Sequence, residues 1–341
     1  MDLVETRLEG RYISPDGTES SYCAVHRIDP ITGHSARITG PRPTDSPPGP
    51  RPLPDISAEV ERTVGCPFCA GKVEAMTPKF IPAIHADGRF RRGASILFPN
   101  ISPYGKYSSV CIFSTRHHVP MGDFSTQDYS DALRNCVDFV DAVSAIDPDS
   151  GRFRIISQNI LPSSGGALLH PHLQVNADCF PMNYHRFLAD AEARYRQEHG
   201  ESLLLDLAAE EERRGQRFIA RFRDWAFFAA FAPLAAWEVH AVCLSSGTLD
   251  ALSGASLRGL VDGILHVQRF WKSTGRNAAN MGLFATANGA HPLFLRLMLR
   301  SPYRQWYRSD RSAYEVACCE NATDAKPETV AEAIRSYRHA G

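Results

Sequence analysis

The chain has 341 residues, enough to bury a sizeable core in two domains or in two halves of a larger one. Its 37 basic and 38 acidic residues leave a formal net charge of -1, so no overall field draws it to a nucleic-acid backbone and a large nucleic-acid footprint is not expected. Met1 to Arg7 carries acid where a leader needs base, no run reaches membrane-spanning length, and nine cysteines lack the regular spacing of a disulfide framework. A cytoplasmic protein with reduced thiols and no membrane attachment is therefore expected.

In chain order, Gly40 to Asp55 holds seven prolines and almost no apolar residues, which predicts an extended surface segment between a short N-terminal region and the main body. Alternating strands follow at Ala94–Phe98 and Ser109–Phe113, then a helix opening at Ser125-Thr126-Gln127-Asp128 as a capping box, with Tyr129, Leu133, Cys136, Val140 and Val143 as its apolar face. A strand at Phe153–Gln158 and a loop from Asn159 to Leu169 lead to His170-Pro171-His172-Leu173-Gln174. Tyr184 to about Gly215 reads as helical, Trp225–Phe231 and Trp237–Leu244 as strands, and Leu257 to Trp271 as a helix. Asn280–Ala287 with Leu293–Leu299 completes the chain as a strand pair. The second half thus repeats the order strands, helix, strands, and Gly289-Ala290-His291-Pro292-Leu293 echoes Leu168-Leu169-His170-Pro171-His172. This is a weak internal duplication in which the second copy has lost its second histidine.

The histidine segment carries the chemistry. On a strand, the period of two places His170, His172 and Gln174 on one face, an arrangement suited to attack on phosphorus. Neutral His172 can attack an α-phosphorus to give a nucleotidyl-histidine, and Gln174 can hydrogen-bond a non-bridging oxygen. Pro162 to Ala167, with Gly165 and Gly166, can turn main-chain N–H groups toward phosphates. Cys66-Pro67-Phe68-Cys69 has the two-residue gap of a zinc knuckle. With no second such pair, histidines must complete a tetrahedron, and His117 or His118 and His170 are the candidates; a pair of reduced structural or redox cysteines is the alternative.

These residues resemble the galactose-1-phosphate uridylyltransferase family of the histidine-triad superfamily over nearly the whole chain. The likeness lies at Asp29-Pro30-Ile31-Thr32-Gly33, the Cys66–Cys69 knuckle, Phe98-Pro99-Asn100, and Asn159 through Gln174. The resemblance implies an α+β fold of two histidine-triad-like halves, each an antiparallel sheet with packed helices, together forming a half-barrel-like core. The expected division is residues 1–210, with the knuckle and the His-Pro-His-x-Gln site, and residues 211–341. It further implies a nucleotidyltransferase that moves UMP or AMP between a nucleotide sugar and a sugar phosphate or phosphate through His172, in a homodimer. Cys66, Cys69, His117 and His170 would hold a structural Zn2+, Phe98 and Asn100 would contact the nucleoside, and Arg42 and Asn159 would lie near the phosphates or brace the loop. Glutamine at 174, where hydrolases of the superfamily carry histidine, favours transfer over hydrolysis.

The chain also departs from the family. Ala167 stands where a phosphate-binding serine is usual, Ile160-Leu161 replace a Lys-Gly pair, and Leu295 and Leu297 stand where some members have iron-ligating histidines, so no second metal is expected. Tyr314 to Asn321 lacks the sugar-binding glutamine. These departures leave two alternatives, a specialised member acting on a modified nucleotide or phosphorylated metabolite, and a non-catalytic nucleotide-binding homologue.

Overall fold

The computed structural model describes residues 3–39 and 50–338. The chain opens with a hairpin, β1 (Glu5–Ile13) and β2 (Glu19–Ile28), followed by β3 (Ser35–Ile38), the short helices α1 (Ser57–Thr63) and α2 (Val73–Met76), and strands β4 (Phe90–Arg92), β5 (Ser95–Pro99) and β6 (Tyr107–Ile112). Helix α3 (Thr126–Ile146) leads to β7 (Phe153–Ile160), a 3-10 turn at Pro162–Ser164 and β8 (His172–Asp178). Helices α4 (Asn183–His199) and α5 (Leu203–Arg214) precede β9 (Phe218–Phe222), β10 (Trp225–Ala229) and β11 (Val239–Cys243). The remainder is α6 (Gly254–Ser273), β12 (Ala279–Thr286), β13 (Phe294–Leu299), α7 (Ala313–Ala317), β14 (Asn321–Thr323) and α8 (Pro327–Ser336).

Ten strands form one open antiparallel sheet, in the order β4-β5-β6-β8-β7-β12-β13-β11-β10-β9. The first five and the last five have the same topology. In each half three strands run as a meander, a long helix crosses over, and a final pair returns, with α3 and α6 in equivalent places. The halves join where β7 pairs with β12, from Phe153 opposite Thr286 to Ile160 opposite Ala279. This is the α+β arrangement of two histidine-triad-like halves, with β4 and β9 as free ends of a sheet that does not close into a barrel.

Helix α3 starts where its capping box predicts: the Ser125 hydroxyl accepts from the Asp128 N–H at 3.1 Å, and the Ser125 N–H donates to the Asp128 carboxylate at 3.2 Å. Tyr129, Leu133, Cys136, Val140 and Val143 are fully buried and form one core with the inner face of α6 and the alternate residues Ile156, Leu173, Val175, Leu283 and Leu295 of the sheet. Helices α4 and α5 cover the other face of the second half, over Ala226, Phe228, Val242, Phe284 and Phe294.

Two features go beyond the sequence reading. The helical stretch from Tyr184 to Gly215 is two helices, because Gly200 takes φ 79° and closes α4, and the Ser202 side chain then caps α5. The short N-terminal region holds a further sheet, β1-β2-β3-β14, whose β1 is exposed almost throughout and so carries no apolar alternation to read. Of the proline-rich segment, residues 40–49 and with them Arg42 lie outside the described residues; Arg51 forms a parallel bridge with Thr274. Among the described residues no helix is long and apolar enough to cross a membrane.

Candidate functional site

Four expected ligands meet at one point. The Cys66–Cys69 turn, closed by a Cys69 N–H to Cys66 carbonyl bond of 3.0 Å, presents two sulfurs 3.7 Å apart. His170 Nδ1 lies 3.5 Å from Cys66 Sγ and 3.9 Å from Cys69 Sγ, and His117 Nδ1 lies 3.3 Å from Cys69 Sγ. All four ligand atoms fall within 4.8 Å of one another. A zinc ion about 2.3 Å from sulfur and about 2.0–2.1 Å from nitrogen, at the centre of a regular tetrahedron, sets sulfur–sulfur edges of about 3.8 Å and sulfur–nitrogen edges of about 3.5 Å. The 3.7 Å sulfur–sulfur spacing and the 3.3, 3.5 and 3.9 Å sulfur–nitrogen spacings lie close to those edges.

The proton positions agree with this fit. His170 Nε2 lies 2.7 Å from the Ser114 carbonyl, which can only accept, so Nε2 carries the proton and Nδ1 offers its lone pair to the cluster. The Thr63 hydroxyl donates to the Glu59 carbonyl at 2.7 Å and therefore accepts from His117 Nε2 at 3.0 Å, which leaves the His117 Nδ1 lone pair facing Cys69. Burial holds the His170 ring down to a pKa of about 4 and pushes the Cys66 thiol up. Of the two neighbouring histidines, His117 joins the cluster and His118 does not.

His172 opens β8. The strand period therefore relates His172 to Gln174 but does not reach His170, which was expected on the same strand face; Pro171 has no N–H for the ladder, and pairing stops at His172 opposite Ile112. The His172 Nδ1–H donates to the His170 carbonyl at 2.8 Å, which makes Nε2 the lone-pair nitrogen. The ring is 7% exposed, and burial lowers its pKa from 6.5, against a smaller upward pull from the carbonyl bond. His172 and Gln174 line a cavity of about 340 Å³ together with Phe98, Asn100, Asn159, Gly165 and Gly166. Phe68, from inside the cysteine turn, stands edge-on to both His170 and His172 at 5.7 Å and packs against Phe98 at 5.3 Å. Every expected site residue among the described residues thus lies at the cysteine–histidine cluster or in this cavity; Arg42 is outside the described residues.

The loop that closes this cavity is held by its own backbone and by the second half of the sheet. Leu161 has φ 67°, a left-handed conformation costly for a side-chain-bearing residue, in the position where the resemblance places glycine. Gly165 has φ 93°, and a Cβ on Gly166 would sit 3.2 Å from the Leu161 carbonyl oxygen and 3.4 Å from that of Asn159. The Asn280 amide of β12 donates to the Asn159 side chain at 2.6 Å and to the Ser164 carbonyl at 2.9 Å. Arg300 in turn donates to the Asn280 side-chain oxygen at 2.7 Å and is held by the Asp310 carboxylate at 2.6 and 2.8 Å. Sequence reasoning missed Asn280, Arg300 and Asp310, which belong to no motif and reach the loop only across the β7–β12 pairing.

No protein-family model matches the chain. A protein of Archaeoglobus fulgidus whose function is uncharacterised is 28% identical over 312 residues, covering 91% of each chain. An ADP-glucose phosphorylase from Arabidopsis thaliana, solved with bound ADP-glucose, superposes with a TM-score of 0.69 at 17% identity, over 92% of this chain and 99% of that one. A uridylyltransferase structure superposes with a TM-score of 0.66 at 18% identity, over 91% and 97%. At such identities the likeness is one of architecture, and it agrees with the duplicated sheet described above: the chain has the fold of the galactose-1-phosphate uridylyltransferases, two histidine-triad-like halves sharing one sheet.

Proposed function

We propose that this chain is a nucleotidyltransferase that carries UMP or AMP from a nucleotide sugar to a sugar phosphate or inorganic phosphate through a covalent bond to His172. The observation that carries the reading is the tautomer of His172: Nδ1–H is committed to the His170 carbonyl, so Nε2 presents a lone pair in a cavity lined by Gln174 and the glycine loop. Nε2 attacks the α-phosphorus, the bond from phosphorus to the bridging oxygen breaks, and the sugar phosphate leaves with its electron pair. The positive charge left on the imidazole is held through Nδ1–H on the carbonyl. The acceptor phosphate oxygen then attacks the same phosphorus and the ring returns to its neutral form. Gln174 supplies a fixed dipole for the phosphate oxygens, while Phe98 and Asn100 contact the nucleoside; the Gly165 and Gly166 N–H groups, expected from the sequence to face phosphate, are instead taken by the Pro162 and Leu161 carbonyls at 2.9 and 3.4 Å. Neighbours in fold that act on ADP-glucose or transfer uridylyl groups support this reading.

Cys66, Cys69, His117 and His170 would hold a zinc ion whose role is structural, since four protein ligands leave no open position. It anchors the residue whose carbonyl orients His172. Metal analysis of the purified protein is expected to give about one zinc per chain, with Cys69→Ser losing the metal and melting at lower temperature; full metal content in that variant would contradict the ligand set. The reading also takes the protein to be a cytoplasmic homodimer, which molar-mass measurement in solution tests.

The deciding experiment mixes the protein with UDP-glucose or ADP-glucose alone and records intact masses. A nucleoside-monophosphate adduct is expected, and its absence in His172→Ala. No adduct from either donor, with nucleotide bound all the same, would favour a non-catalytic homologue. A second reading, a specialised enzyme for a modified nucleotide or phosphorylated metabolite, is favoured by Ala167 in the cavity wall where uridylyltransferases place a phosphate-binding serine. Rapid turnover of galactose 1-phosphate with UDP-glucose would exclude it.

A further inference from the structure

A second cavity, of about 460 Å³, lies against the opposite face of the same strands. Its position follows from strand alternation. His172 and Gln174 belong to the face described above, whereas Gln158, opposite Leu173 in the ladder, points with it to the side of α3 and α6; Asn159, at the end of β7, lines both cavities. The walls are apolar, with Leu53, Ile56, Val60, Phe124, Leu161 and Leu169 among them, and the volume lies within the range of about 300–1,000 Å³ typical of small-molecule sites.

Two polar groups are left open at this cavity. The Tyr129 hydroxyl donates to Gln158 Oε1 at 2.6 Å and accepts from Gln268 Nε2 at 3.3 Å. The Gln158 amide nitrogen and the Gln268 amide oxygen, a donor and an acceptor, then have no partner among the described residues, although the two side chains are only 4% and 2% exposed. Buried polar groups of this kind call for a hydrogen-bonding occupant. Among the described residues the lining includes the carboxylates Asp55 and Glu61 and neither lysine nor arginine, so it does not suit an anion. The walls are also where backbone strain is kept: Leu161, with φ 67°, packs its side chain against Leu169, Ile56 and Val60.

We propose that this cavity is a second ligand site, for an uncharged, mainly apolar small molecule with one group that both accepts and donates a hydrogen bond. Its occupant touches Leu161 and Leu169, the two ends of the glycine loop, from behind, without entering the His172 cavity. The site does not depend on the nucleotidyl-transfer reading.

The test is fluorescence titration of the full chain with N-phenyl-1-naphthylamine, an uncharged apolar probe with one N–H. Saturable binding at one probe per chain is expected, unchanged in His172→Ala and in saturating UDP-glucose. Val60→Trp, which fills the cavity, is expected to weaken it at least tenfold. Leu53→Trp, at a half-buried wall position, serves the same purpose should Val60→Trp fail to fold. The sulfonated analogue 8-anilino-1-naphthalenesulfonate is expected to show no component sensitive to these substitutions. Displacement of the neutral probe by UDP-glucose, indifference to both filling variants, or equal filling-sensitive binding of the sulfonate would overturn the proposal.

Discussion

At the scale of single residues, the reactivity proposed for His172 rests on which nitrogen holds the proton. Burial lowers the ring's pKa below 6.5, so the neutral, nucleophilic form persists into mildly acidic solution. The rate of adduct formation is therefore expected to fall with acid along a limb whose midpoint lies below the ordinary histidine value. Stopped-quench measurement of adduct against pH checks this, and a midpoint above that value would contradict the assigned environment. Cys66, Cys69, His172 and Gln174 were legible from spacing alone, because each pair lies within a single turn or strand whose geometry brings the partners together. The choice between His117 and His118 was not, since adjacent residues differ only in the direction each side chain takes. Thr63, from a helix more than fifty residues away in the chain, receives the outer N–H of His117, while His118 turns to the apolar cavity.

At the scale of elements, the loop from Leu161 to Leu169 depends on a strand of the other half. Asn280→Ala removes the amide that joins the Asn159 side chain to the Ser164 carbonyl and leaves Arg300 short of one acceptor. Leaving such groups unpaired costs about 1–3 kcal/mol, so adduct formation is expected to slow by about tenfold or more. Zinc content should stay unchanged, as single-turnover rates and metal analysis of the variant would show. Retention of the full rate would mean that the loop keeps its shape without β12. The start of helix α3 could be placed from sequence to the residue because a capping box and a three-to-four spacing agree on it. The β1–β2 hairpin could not, for it buries too little to impose a pattern, and the bracing by Asn280 could not, since strand pairing across the two halves leaves no local mark.

For the molecule as a whole, acid stability should be governed by the buried charges that tie the second half together. Glu238 accepts from Arg296 Nε at 2.6 Å, from His240 at 2.9 Å and from the Leu234 N–H at 2.7 Å, all inside the protein. Burial alone would raise its pKa, but Arg296 and His240 overcome that and hold it at about 2. A carboxylate depressed in this way stabilises the fold above its unfolded pKa near 4.5, and that contribution is lost as pH falls from there toward 2. Glu238→Gln is expected to cost about 3–5 kcal/mol at neutral pH, because it strands a buried guanidinium, and to flatten the acid slope in that window. Denaturant titrations at several pH values check both effects; an unaltered slope would place the acid sensitivity elsewhere.

The seam between β7 and β12 joins the two copies along eight residue pairs. If the chain were cut between α5 and β9, one whole side of β7 would become a bare edge, open to any passing strand. The duplicated half carries Leu293 where the sequence echo of the first half has His172, yet its β12 completes the edge of β7 and its Asn280 ties the loop beside His172. It serves as the wall against which the first copy is built, one repeat supplying the strand that the other's edge would otherwise lack.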